Sequence, residues 1–116
     1  MAETSTVARP YAKAAFEYAR DHKALEAWSG QLASAKQVAA DADFDAKVVS
    51  NPKLSHDQKT ALLLEVCGEL DESLCNFIRT VGSRGRLAAL PAIAEQFEVL
   101  RAEEEKRVDV TIVSAF

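Results

Sequence analysis

Glycine, proline and cysteine are scarce in this chain of 116 residues: four, three and two respectively. So few breakers leave no room for a Gly- or Pro-rich linker or a low-complexity tract. Cys67 and Cys75 have no motif spacing, which argues against a disulfide framework or a thiolate metal site and leaves two reduced thiols. A basic stripe is missing too. The net charge is −4, and no nucleic-acid partner is expected. No apolar run approaches the roughly 18 residues that would span a bilayer, so no direct membrane insertion is expected. The start, MAETSTVARP, has neither an apolar core nor an Arg-rich amphipathic pattern, and no leader peptide is read there.

What is present favours helix. Hydrophobic residues make up 48% and charged residues 28%, the balance of an ordinary globule, with alanine, leucine and glutamate plentiful. The length suits one domain with its own core. Six helical segments follow from periodicity. The first runs from about Ser5 to Asp21, with Thr6 as N-cap and Pro10 near the start. The second covers about Lys23 to Ala39, with Leu25, Trp28, Leu32, Ala35 and Ala39 on one stripe. Gly30 either weakens it or marks a close helix contact. A short third, about Ala42 to Val49, follows Asp41 as cap and ends before the turn SNPKL. Ser55 and Gln58 have capping-box spacing and open a fourth helix that Gly68 ends. Asp71 caps a fifth helix through Leu74, Phe77, Ile78 and Val81, which GSRG stops. The sixth runs from about Leu87 to Arg107 on Leu87, Leu90, Ile93, Phe97 and Leu100, and EEEKR is its solvated end. Beyond it, Val108, Val110 and Ile112 alternate with Asp109, Thr111 and Val113, which reads as a strand; with no partner strand in a helical chain, it is expected to be an extended tail.

The expected architecture is therefore all-α: a six-helix bundle over residues 1–106, with a short extended C-terminal tail over 107–116. The chemistry search is thin. His22 and His56 lack ligand-spaced neighbours, GSRG lacks the features of a phosphate loop, and no serine has nucleophile-elbow context. No catalytic residue, cofactor site or metal site is assigned.

The informative stretch is VARPYAKAAFEYARDH, residues 7 to 22. On a wheel of about 100° per residue, Arg9, Lys13, Glu17 and Arg20 share a sector that faces water. The apolar residues fill about twice the arc of a normal core stripe. One side carries Ala8, Ala12, Ala15, Phe16 and Ala19; the other carries Val7, Tyr11, Ala14 and Tyr18. Either the helix is the buried centre of the bundle, or the tyrosine side stays open for a partner. Tyrosine suits a half-wet site because its ring packs while its hydroxyl reaches water. On the fifth helix Ser73, Asn76 and Thr80 form a mildly polar rim beside Phe77, a matching edge for such a groove.

VARPYAKAAFEYA resembles the N-terminal signature of the delta subunit of F-type ATP synthases, the oligomycin-sensitivity-conferring protein of mitochondria. NPKLSHDQK resembles that family's mid-domain turn and the helix after it. NFIRTVGSRGRLAALPAIAEQFEVL resembles its fifth helix, glycine-arginine turn and sixth helix, and VDVTIVSA resembles its link to a second domain. The resemblance implies a non-catalytic stator component. Its helical domain would grip the N-terminal helix of one alpha subunit in a groove between the first and fifth helices. A C-terminal domain absent from this sequence would reach the b subunits of the peripheral stalk. It also implies a bacterial protein, peripheral on the cytoplasmic side of the inner membrane. Tyr11, Ala14, Asn76 and Thr80 are carried over as groove residues; Val7, Tyr18 and Phe77 are added from the wheel. The competing expectation is a free-standing helical adaptor for protein interaction.

Overall fold

A computed structural model describes residues 2–114. The chain forms α1 (Ala2–Asp21), α2 (Leu25–Ala40), a short α3 (Ala42–Phe44) continued by one π-helical stretch (Asp45–Val49), α4 (His56–Cys67), α5 (Glu72–Ser83), a 3-10 turn (Leu87–Ala89) and α6 (Leu90–Ser114). The all-α bundle of six helices is the one the periodicity predicts, and no strand occurs among the described residues.

Helix α6 is the spine, packed against α1 on one side and α2 on the other, while α4 and α5 pair with each other. The core is the set of stripes read from the sequence. Ala8, Ala12, Ala15 and Ala19 of α1, Trp28, Leu32 and Ala35 of α2, and Ile93 and Phe97 of α6 are all buried. Phe16 meets Phe97 edge-on, with ring centroids 6.3 Å apart, a favoured aromatic geometry. The alanines matter because they let α1 lie close to α6 along its length.

Helix ends follow local chemistry. At α4 the Ser55 hydroxyl accepts from the Gln58 N–H at 3.1 Å, and the Gln58 side chain accepts from the Ser55 N–H at 2.9 Å, completing the capping box. Gly68 ends that helix with φ +80. Asp41 caps α3 by accepting from the Phe44 N–H at 3.0 Å. Asp71 holds the cap position of α5, but its carboxylate makes no capping bond. Helices α1 and α5 stop in the same way. The Ala24 N–H donates to the Ala19 carbonyl and the Lys23 N–H to Arg20; likewise Arg86 donates to Val81 and Gly85 to Gly82. These crossed pairs are Schellman motifs. Each needs a left-handed residue, supplied by Lys23 (φ 55) and Gly85 (φ 71).

Other expectations are corrected or narrowed. Helix α1 starts at Ala2, so Thr6 is inside it and Pro10 is not in its first turn. The extra turn is tied down where the Gln96 amide donates to the Ser5 carbonyl at 2.9 Å. Gly30 marks no close contact, since a Cβ there would meet nothing within 4 Å. The extended tail expected from residue 107 is helix instead, because α6 continues to Ser114; residues 115 and 116 lie outside the described part. A lone strand would leave its backbone polar groups unpaired, whereas helix pairs them within the segment. The charge run adds to this. Arg107 pairs with Glu104 at 2.7 Å and Arg101 with Glu105 at 3.3 Å, both at helical spacing.

Candidate functional site

The two sides of α1 have different fates. Its alanine side is buried against α6, with Ala8 and Ala19 at 0% exposure. On its other side Val7 and Tyr11 are half-buried, Ala14 is exposed and Tyr18 keeps 41% of its surface. Helix α5 is split in the same manner: Leu74, Ile78 and Val81 are buried, Phe77 is half-buried, and Asn76 and Thr80 are exposed. Because α1 leans on α6 and α5 leans on α4, a trench is left between α1 and α5.

Two adjoining cavities make up this trench. One, of about 510 Å³, is lined by Val7, Pro10, Tyr11, Ala14, Phe77, Thr80, Arg84 and Arg86. The other, of about 350 Å³, is lined by Ala14, Ala15, Tyr18, Trp28, Ser73, Asn76, Phe77 and Thr80. Ala14, Phe77 and Thr80 border both, so the cavities meet at the middle of the trench. The first lies by the N-terminal half of α1 and the C-terminal end of α5, and the second by the opposite ends. The two helices therefore run antiparallel along it. Every groove residue expected from the sequence (Val7, Tyr11, Ala14, Tyr18, Asn76, Phe77 and Thr80) lines at least one cavity.

The floor of the second cavity is an aromatic chain. The His22 ring stacks on Tyr18 with centroids 4.0 Å apart, Tyr18 lies 5.3 Å from Trp28, and Trp28 lies 5.8 Å from Phe77. His22 Nδ1 also sits 2.8 Å from the Tyr18 carbonyl, which fixes the ring at the end of α1. Trp28, 2% exposed, thus bridges α1 and α5 from below. Core side chains back both walls: Phe16 on α1, and Leu74 and Ile78 on α5. Their lips are small or weakly polar: the Thr80 hydroxyl donates to its own helix at the Asn76 carbonyl, 3.0 Å away.

Sequence reading missed Trp28 as a floor residue, since its place on the α2 stripe accounted for it completely. Arg84 and Arg86 were also missed. Their position just after α5 was a usable signal, but which way a turn projects its side chains is not periodic. Pro10 was read only as a constraint on the helix start.

Elsewhere the surface offers less. An apolar cavity of about 450 Å³ lies among Val38, Phe44, Val48 and Val66, and a more polar one of about 730 Å³ lies between α4 and α5 over Thr60, Leu64 and Arg79. Cys67 and Cys75 are free, half-buried thiols. Burial pushes the Cys67 thiol above its ordinary value, and the neighbouring Cys75 adds to the effect. Among the described residues, no three His, Cys, Asp or Glu side chains gather as a metal site, and no helix is long and apolar enough to cross a membrane.

Comparison with known proteins agrees in family and extent. A family model described as ATP synthase delta (OSCP) subunit matches residues 7–116. The ATP synthase subunit delta of Ectopseudomonas mendocina (strain ymp) is 44% identical over 117 residues, covering 100% of this chain and 65% of the relative. The ATP synthase subunit delta of Teredinibacter turnerae (strain ATCC 39867 / T7901) is likewise 44% identical with the same coverage. The chain thus spans 65% of the length of these relatives.

Proposed function

The chain belongs to the ATP synthase delta (OSCP) subunit family, and from that premise we propose that it is the head-binding part of a non-catalytic stator subunit. Its trench receives the N-terminal helix of one alpha subunit. The remainder of the subunit joins the b subunits of the peripheral stalk, so that the catalytic head is held against the torque of the rotor. The assembly sits at the cytoplasmic face of a bacterial inner membrane, with this chain peripheral to the bilayer.

The observation that carries the reading is the open trench between α1 and α5, with Ala14, Phe77 and Thr80 at its middle and the rings of Tyr11 and Tyr18 to either side. Its form suits helix-in-groove recognition, in which a guest lays anchors spaced i, i+3, i+4 and i+7 into a cleft. Ala14 borders both cavities, and its small side chain lets a guest backbone come close there. Three or four buried anchors contribute about 5–12 kcal/mol gross at roughly 1.5–3 kcal/mol each. Ordering a flexible tail costs about 2–5 kcal/mol of that. The balance corresponds to roughly micromolar binding, or somewhat tighter, for an isolated peptide. Further contacts with an intact head add to it.

The test is an NMR chemical-shift map with a peptide of the alpha N-terminal segment. Shifts should concentrate on Val7, Tyr11, Ala14, Tyr18, Asn76, Phe77 and Thr80, with the Trp28 indole responding. Shifts centred on Phe44, Val48 and Val66 would move the site to the other apolar cavity and end the trench proposal.

A further inference from the structure

No charged side chain lines the middle of the trench or the end formed by Tyr18, Ser73 and Asn76, although the Arg79 guanidinium, outside the cavity, donates to the Asn76 amide oxygen at 2.9 Å. The other end is different: Arg84 and Arg86 stand there beside Val7, Pro10 and Tyr11. Both arginines are exposed, and neither is ion-paired with a described residue. The two flank Gly85, whose left-handed turn (φ 71) follows the end of α5, and both line the same cavity. Cations near the end of α5 also suit its dipole. That effect does not require both guanidinium groups to border an apolar cleft. In a protein of net charge −4, two unpaired cations at one end of that cleft are a local inversion of sign. The water-facing Arg9 and Lys13 lie on a different sector of α1 from Tyr11 and Ala14 and do not line the trench.

We propose that the guest helix carries a carboxylate at one end of its apolar face, that this group pairs with Arg84 and Arg86, and that the pairing fixes which way round the helix lies. The inference rests on the trench being the docking site, and adds the chemistry and polarity of the occupant. Apolar burial is non-directional and by itself discriminates only weakly between the two directions. Only one direction brings the acid to the two arginines that line the trench; the reverse sets it at the Ser73 and Asn76 end, where the Arg79 guanidinium is already held by Asn76. Guanidinium–carboxylate pairs at the edge of a cleft chiefly steer association and select orientation.

The experiment titrates a peptide of the alpha N-terminal segment into the wild-type chain and into Arg84→Glu/Arg86→Glu, at low and high salt. A second peptide carries lysine in place of its acids. A spin label is placed at the acid-bearing end of the first. Both arginine side chains are exposed, and Arg86 enters the turn through its backbone N–H, so the variant keeps the fold. The expected result is at least about tenfold weaker binding of the acidic peptide to the variant at low salt, a smaller gap at high salt, and recovery with the lysine peptide. The label should broaden the Gly85 and Arg86 amides and spare Ser73. Equal affinity of wild type and variant, no recovery with the lysine peptide, or broadening at Ser73 overturns the polarity proposal while docking stands. No binding by the wild-type chain sinks docking and polarity together.

Discussion

Replacing Ala14 with aspartate separates an open trench from a buried centre. Ala14 is exposed in the free protein and borders both cavities, facing Phe77 and Thr80 across the cleft. In the free chain the new carboxylate stays hydrated, so the cost is mainly helix propensity, about 0.5–0.7 kcal/mol. For a domain of this size that lowers Tm by roughly 2–5 °C. On docking, the same carboxylate is covered by an apolar helix against Phe77 and Tyr11. Burial of a charge without a full set of partners costs several kcal/mol, and Arg84 in the same cavity offsets part of it. A net loss of about 2–4 kcal/mol weakens peptide binding roughly 30- to 1000-fold. Calorimetric titration of the alpha N-terminal peptide measures this, with circular dichroism and Tm as the fold check. Ala14→Asn is the control for size without charge and should lose less. Affinity within about twofold of wild type would remove Ala14 from the interface. A variant that melts more than about 10 °C early would mean that the bundle itself packs over Ala14, and the trench argument fails there.

Other substitutions test the fold that holds the trench open. Gly82 is buried where α5 crosses α4, and a Cβ there would collide with the Thr60 hydroxyl, so Gly82→Ala should destabilise by about 1–3 kcal/mol in urea unfolding. Gly30 has open space around it, so Gly30→Ala should stabilise by about 0.5–1 kcal/mol; a loss of stability would mean that α2 is packed there by something else. Lys23 sits at φ 55 in the turn that ends α1, and Lys23→Gly should raise stability by up to about 1 kcal/mol in the same assay. The Cys67 thiol is raised by burial and by Cys75, so alkylation at pH 8 should be slower than in the urea-unfolded chain. Because the folded value lies above the ordinary 9.0, its stabilising contribution is complete below pH 9 and is lost as pH rises through the folded value. Flat stability from pH 8 to 10.5 in a chain with Cys75→Ser would contradict that.

The trench depends on how its walls are supported. Trp28 holds Tyr18 from α1 and Phe77 from α5 on one aromatic floor, and α6 backs α1 through Phe16 and Phe97. Close-packed supports of this kind transmit strain rather than absorb it. The proposed role at a torque-bearing joint would call for a cleft of this kind, backed by core side chains.

The helices, their stripes and the two-sided character of α1 are all legible along the chain. Those properties are periodic and local: Ala8, Ala12, Ala15 and Ala19 repeat on one face, Val7, Tyr11, Ala14 and Tyr18 on the other, and Ser55 with Gln58 makes a cap from adjacent residues. Sequence reading misjudged the segment from residue 107, where an alternating β-branched pattern was outweighed by continuity with α6 and the lack of a partner strand. Which face of α1 remains open is set by packing between distant segments, because it depends on α1 leaning on α6 while α5 leans on α4. That packing alone brought Trp28 beneath Tyr18 and Phe77, and it alone turned Arg84 and Arg86 to one end of the trench. Such placements come from the direction of a chain reversal and the angle between helices, and neither has a period that can be counted along a chain.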